Sequence, residues 1–217
     1  NFTTGTDSFN TAVGDRAGGA VTTGINNTLV GGLAGDALTD ADYNTSVGGA
    51  NLSTDTLGSQ TTSIGYGALV TQNFTTATNT QNTAVGYNAG TNLTTGQADT
   101  FIGHSSGENV TTGATNTFVG TSSGKGISGA KLSGSNNCGI GAGAGLLLQG
   151  AANANIFLGS DAGDSCTTGA RNICVGTNAN PSTATNTNSI ALGHDLVAAS
   201  NDFTFGKNGA SATCDFD

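Results

Sequence analysis

Reactive chemistry in this chain would have to come from His104 and His194, four cysteines and fourteen carboxylates. Each histidine follows a glycine of a recurring motif, at the position where other copies carry Tyr66 and Tyr87. That slot is expected to be an exposed turn, where a metal ion would need ligands from more than one chain. Asp36, Asp40 and Asp42 crowd one turn, and Asp161 and Asp164 another. Calcium requires several oxygens converging on one point, and Gly31-Gly32-Leu33-Ala34-Gly35-Asp36 is only faintly like a calcium-binding nonapeptide. No Ser, His and Asp stand in a catalytic arrangement. Gly139-Ile140-Gly141-Ala142-Gly143-Ala144-Gly145 is superficially like a dinucleotide loop, but no helix pattern follows it. The expectation is a chain with no catalytic residue, no cofactor and no metal site: not an enzyme.

Four cysteines are too few for a disulfide framework in this length. Cys138 stands where other copies carry Thr, Cys174 where they carry Ala or Phe, and Cys166 where they carry Leu or Val. They read as small residues filling core slots; a Cys166–Cys174 link, or pairing between chains, is the alternative. Cys214 lies outside the pattern. Asn1-Phe2-Thr3, Asn26-Asn27-Thr28, Asn44-Thr45-Ser46, Asn51-Leu52-Ser53, Asn73-Phe74-Thr75, Asn92-Leu93-Thr94 and Asn109-Val110-Thr111 fit the N-glycan acceptor pattern. A chain so rich in Asn and Thr produces that pattern by chance.

The elements that must position these residues are copies of one unit. A short apolar-plus-glycine motif, as in Asn82-Thr83-Ala84-Val85-Gly86, returns twelve times. Its closing glycines are Gly14, Gly31, Gly48, Gly65, Gly86, Gly103, Gly120, Gly141, Gly159, Gly176, Gly193 and Gly206, and seven of the eleven steps are 17 residues. A fixed period of this size means one supersecondary unit stacked on itself. Before the glycine always stands Val, Ile, Leu or Phe: Val30, Val47, Val85, Ile102 and Val119 are examples. Alternation along a strand puts Thr83 and Val85 on one face and Ala84 on the other. The uniformly apolar Val85 position is expected in the core, and the variable Ala84 position against something less uniform. The closing glycine is expected in a conformation closed to other residues. The small residue three places on, such as Ala89 or Ser106, should mark a close approach of layers. Leu93, matched by Val21, Leu38 and Val110, is expected to open a second strand, and Thr95-Gly96 to turn the chain back.

No apolar stripe of helical period is present, and 36 glycines argue against helix. Identical copies suit parallel stacking better than hairpins, with about 4.8 Å between coils and a rod of roughly 50–55 Å. The fold class is therefore all-β, a parallel β-roll or β-solenoid of about twelve coils. Residues 1–206 form its shaft and 207–217 a C-terminal extension. Two 21-residue steps near Thr71–Gln81 and Lys125–Ser135 read as insertions bulging from one edge, and Thr177–Asn188 as a similar excursion.

Leu, Ile, Val and Phe make up 41 of the 217 residues. That content, with a net charge of −9, belongs to disordered chains; twelve registered copies overrule composition. The five basic residues are scattered, which argues against nucleic acid. The longest apolar run is far too short for a bilayer. No secretory signal opens the sequence, and Thr3-Thr4-Gly5 already matches Thr22-Thr23-Gly24, so a fragment of a longer polypeptide is expected. Each coil has few large apolar residues, so several chains are expected to associate along the axis. Phe101, Phe118 and Phe157 at the variable position suggest a second apolar contact. Thr11, Thr28, Thr45, Thr62, Thr83, Thr100 and Thr117 share one position and raise ice binding. The drift of that column to Cys138, Ile156, Ile173, Ile190 and Phe203 predicts a buried face instead.

Asn188-Ser189-Ile190-Ala191-Leu192-Gly193 closely resembles the head repeat of trimeric autotransporter adhesins. Asn82–Gly90, Asn-Thr-Ala-Val-Gly-Tyr-Asn-Ala-Gly, is similar to repeats of bacteriophage tail-fibre proteins. Ser200-Asn201-Asp202-Phe203-Thr204-Phe205-Gly206-Lys207 resembles the segment before their self-cleaving intramolecular chaperone. The resemblance implies a homotrimeric extracellular fibre of β-rolls, either a virion tail fibre or a cell-surface filament. The partner would be the chain itself, with cell-surface glycans at the loop insertions as the adhesin alternative, and no membrane or nucleic acid.

Overall fold

The computed structural model describes residues 7–215; the patterns noted at Asn1-Phe2-Thr3 and Thr3-Thr4-Gly5 lie outside the described residues. The strands in chain order are β1 (Thr11–Val13), β2 (Thr28–Val30), β3 (Thr45–Val47), β4 (Gly58–Ser59), β5 (Thr62–Ile64), β6 (Thr78–Asn79), β7 (Thr83–Val85), β8 (Thr100–Ile102) and β9 (Thr117–Val119). They continue with β10 (Cys138–Ile140), β11 (Ile156–Leu158), β12 (Ile173–Val175), β13 (Asn180–Pro181), β14 (Ile190–His194), β15 (Val197–Ala198), β16 (Asp202–Lys207) and β17 (Ala210–Asp215). One long sheet holds β1, β2, β3, β5, β7, β8, β9, β10, β11, β12, β14 and β16 side by side, closed by β17. From β1 to β16 every neighbouring pair is parallel, with each motif residue opposite its counterpart in the next copy. The chain is a parallel β-solenoid of about twelve coils.

The strands are short because each coil is bent at left-handed residues. One precedes the motif (Asn26, Ala98, Asn136), one is the closing glycine, and one lies two residues beyond it (Leu33, Asn88, Ser105). The twelve closing glycines have φ between +122° and +146°, a region that L-residues with a Cβ avoid. From Gly14 to Gly176 a Cβ would also overlap the carbonyl of the next closing glycine along the rod. Backbone conformation and coil spacing thus both demand glycine there.

The two faces of each strand are opposite to the sequence expectation. The variable middle residue points into the coil: Leu29, Ala84, Phe101, Phe118, Phe157 and Cys174 are fully buried. The uniformly apolar position points outward, with Val13, Ile64, Ile102, Ile140, Leu158 and Phe205 exposed. The inner column tolerates variety because its neighbours adjust in volume. Where it carries Phe101, Phe118 or Phe157, the ring fills space beside Gly107, Gly124 or Gly163, and a Cβ on any of these glycines would overlap it. Small neighbours at Ala89, Ser106, Ser123, Ala144 and Ala162 are buried at the same corner, as expected. The interior rings of Phe101 and Phe118 stack with centroids 6.0 Å apart.

The wall opposite the sheet is not a second continuous strand. Leu93, Val21, Leu38 and Val110, expected to open such a strand, point into the core. Their N–H groups, however, bond within their own coil, as in Val21 N–H to Gly18 O and Leu93 N–H to Gly90 O. A donor consumed by a local turn cannot join a ladder. Coils are tied here by single bonds such as Thr94 N–H to Thr111 O, by isolated bridges such as Val110 with Leu132, and by the short pairs β4–β6 and β13–β15.

The irregular stretches also differ from simple bulges. Within 71–81, Gln72, Phe74 and Thr80 are buried, and 75–77, Asn79 and Gln81 are exposed. In 177–188, Asn180 and Pro181 are enclosed. Lys125–Ser135 is the one that projects: 127–131 is exposed around a tight turn in which Ile127 bridges Ala130 in antiparallel fashion. After Lys207 the chain reverses. β17 pairs antiparallel with β16, and Lys207 faces Ala210 across Asn208-Gly209. Asn-Gly is the preferred pair for a two-residue hairpin turn. The break in parallel stacking therefore falls just past the expected 206/207 boundary.

Candidate functional site

The outward side of the long sheet carries two columns. One runs Thr11, Thr28, Thr45, Thr62, Thr83, Thr100, Thr117, Cys138, Ile156, Ile173, Ile190 and Phe203. The other runs Val13, Val30, Val47, Ile64, Val85, Ile102, Val119, Ile140, Leu158, Val175, Leu192 and Phe205. The columns are about 6.6 Å apart and their rungs about 4.8 Å. The Thr column, predicted to be buried, is half-buried to exposed in the single chain; Ile156 is 44% and Leu158 45% exposed. The face is an apolar strip roughly 50 Å long and 10–12 Å wide, on the order of 500–600 Å2 by strand spacing. That is the upper end of what a monomer exposes without a partner. It changes character along its length, from Thr beside Val or Ile in the first seven coils, through Cys138 beside Ile140, to Ile beside Leu or Val in the next three and Phe203 beside Phe205 in the last.

At one border of this face the residue after the closing glycine forms an exposed aromatic column. Tyr66 and Tyr87 stack at 5.8 Å and 14°, and Tyr87 and His104 at 5.4 Å and 8°. Within the stack the facing sides of the three rings cover one another while the side chains stay exposed, an arrangement that stiffens a corner. His194 is also exposed, but it ends β14 instead of lying in a turn, and its Nδ1 is 3.0 Å from Asp195 Oδ2.

Inside the sheet runs a column that the sequence analysis missed. It consists of the first residue of the first eleven motif copies: Asn10, Asn27, Asn44, Thr61, Asn82, Asp99, Asn116, Asn137, Asn155, Asn172 and Ser189. Most are buried. Each Asn accepts, on Oδ1, the N–H of its counterpart one coil on, as in Asn27 to Asn44 (2.9 Å) and Asn155 to Asn172 (3.0 Å). Each also donates from Nδ2 to a carbonyl at the bend, as in Asn27 to Ala41 (2.7 Å) and Asn137 to Ala152 (2.9 Å). From Asn116 to Asn172 the amides also bond one another directly. The column satisfies backbone groups at a bend where no strand partner reaches them. Its signal was the Asn opening most motif copies.

The ladder is interrupted at Thr61, and the first insertion repairs it. Gln72 Nε2 donates to Asp55 Oδ2 (2.6 Å) and Thr61 Oγ (3.2 Å), while Gln72 Oε1 accepts from Asn82 Nδ2 (2.9 Å). Asp55 also accepts the N–H groups of Gly58 and Phe74.

The other candidates do not converge. Asp36 lies 3.4 Å from the Arg16 guanidinium, Asp40 accepts from the Thr23 hydroxyl, and Asp42 accepts the Ile25 N–H. Among the described residues no group of three His, Cys, Asp or Glu side chains comes together. All four cysteines are free thiols. Cys166 and Cys174 occupy core slots, and burial pushes their thiols up to about 11 and about 12, which leaves them unreactive. Cys138 is on the outward column and Cys214 is exposed. Of the repeat residues singled out, Gly14, Gly31, Gly48, Gly65, Gly86, Gly103, Gly120, Gly141, Gly159, Gly176 and Gly193 line one edge of the sheet. Val30, Val47, Val85, Ile102 and Val119 stand together on its outer face.

No protein-family model, curated protein or solved structure matches the chain.

Proposed function

We propose that this chain is a structural segment of an extracellular fibre, a shaft of the kind found in phage tail fibres, in which copies of the chain associate as a homotrimer. One observation carries this reading. The uniformly apolar position of every motif is turned away from the coil, over twelve consecutive rungs, on a rod that elsewhere exposes Tyr43, Ile127, Leu147 and Val197. Apolar surface in an unbroken stripe favours burial against a like stripe, and identical rungs let identical chains meet in register. The role is mechanical: parallel ladders and a buried amide column resist bending and give proteases little loose backbone. Neither nucleic acid nor a membrane is a partner in this reading, and among the described residues no helix is long and apolar enough to cross a membrane.

Sedimentation in native buffer tests it. The wild type should run at three times the chain mass, and Ile140→Lys with Leu158→Lys should run as a single chain. A wild type of single-chain mass at micromolar concentration overturns the reading.

A second reading gains from the same face. Seven Thr beside seven Val or Ile, regularly spaced and exposed or half-buried on the outward face, weaken the burial argument against ice binding. A monomer with thermal hysteresis activity, abolished by Thr83→Lys, would favour it. In the adhesin reading, 127–131 is the candidate for glycan contact, together with the exposed residues 75–77 and 182–183 of the other two stretches.

A further inference from the structure

Asp99 is the one carboxylate in the asparagine column. Its position is otherwise ordinary. Its N–H donates to Asn82 Oδ1 at 2.9 Å, and its Oδ1 accepts the N–H and Nδ2 of Asn116 at 2.8 and 3.1 Å. What differs is the second oxygen. At this place Asn82 donates Nδ2 to Gly96 O and Asn155 donates to Gly169 O, each 14 residues on. Asp99 Oδ2 is buried without any partner. The carbonyl it would serve, that of Gly113, accepts no hydrogen bond among the described residues. Both oxygens lie against the same point beside Gly96, the place its Cβ would occupy. Two unsatisfied acceptors beside one point in a buried interior repel, and each carries a desolvation cost. One proton between them removes both faults.

We propose that Asp99 is held in the folded chain as the neutral acid, with its Oδ2 proton directed at the Gly113 carbonyl, so that the middle of the rod is a link that weakens as pH rises. The protonated acid has the shape and hydrogen-bond pattern of the asparagine that other coils carry there. Burial raises the group to about 7, and the hydrogen bonds from Asn116 oppose that rise only in part. No charged side chain contributes to the shift. The groups packed around the carboxyl are the neutral amides of Asn82 and Asn116, the Leu93 side chain, and the backbone of Gly96 and Gly113.

The sign follows from linkage. The folded state keeps this proton up to about 7, whereas the unfolded chain loses it near the ordinary carboxyl value of 3.8. Stability from this group is therefore fully present below about 3.8 and is lost as pH rises to about 7, beyond which the dependence flattens. This is the reverse of an ion-paired carboxylate. The inference rests on the fold and is independent of the fibre role.

The test compares the wild type with Asp99→Asn, a substitution the other coils show to fit. Infrared difference spectra at pH 6 should contain a protonated-carboxyl C=O band that the variant lacks. Denaturant unfolding from pH 4 to 9 should show the wild type losing up to about tenfold in folding equilibrium per pH unit relative to the variant between roughly 4 and 7. The two should differ by a constant factor above that range. Absence of the band at pH 6, or a wild-type-to-variant ratio that does not move with pH, overturns the proposal.

Discussion

At the scale of single residues, the closing glycine and the asparagine carry the coil. Gly103 has φ +130°, and a Cβ there would lie against the Gly120 carbonyl. Gly103→Ala therefore meets backbone strain and steric overlap together. It should cost about 3 kcal/mol, combining an unfavourable φ with displacement of a neighbouring strand; a thermal melt lowered by several degrees is the expected reading. Asn137→Ala is a loss of a different kind. It strands the Asn155 N–H and the Ala152 carbonyl and removes one of the two partners of the Asn155 amide nitrogen, which keeps its bond to Gly169 O. With roughly 1–3 kcal/mol for each buried group left without a partner, the variant should lose at least as much as Gly103→Ala. Asn137→Asp should recover part of that loss at acid pH, measured by melts at pH 5 and pH 8.

At the scale of the coil, the interior is a set of matched volumes. Phe118 lies against Gly124, and Phe157 against Gly163; beside Gly139 the space is taken by the Phe118 ring and the Ser123 hydroxyl of the preceding coil. Gly124→Ala alone should destabilise by ring overlap. Combined with Phe118→Leu it should destabilise by less than the sum of the two singles. A coupling of about 1 kcal/mol or more in a double-mutant cycle is expected, read by denaturant unfolding. This exchange explains why the inner column varies so widely, from Phe to Gly, while the outer column does not.

For the whole molecule, the outward face divides into a Thr-rich half and an aliphatic half. If like faces meet, burial of Ile173 contributes more than burial of Thr28, since apolar area is worth about 25 cal/mol per Å2. Ile173→Lys should therefore weaken self-association more than Thr28→Lys, seen as a larger upward shift in the concentration at which sedimenting mass falls. Equal shifts would mean that the two halves of the face do not share one role.

Much of this architecture was legible in the sequence. Periodic glycines after an aliphatic residue specified short strands, their parallel register, the coil number and the small residues at the corner, because local backbone constraints repeat wherever the sequence does. The asparagine column was open to view in the same motif, but its use as a hydrogen-bond ladder depends on bends that bring the next coil's N–H within reach. The assignment of faces went the other way round, and the reason is physical. Alternation along three residues separates two sides without saying which is enclosed. Constancy at Val85 and its counterparts marks an outer surface of repeated rungs, whereas the inside accepts Ala84, Phe101 or Gly139 because neighbouring glycines and aliphatics adjust. Only the closed coil, with its interior volume shared among residues distant in sequence, could decide which side faces water.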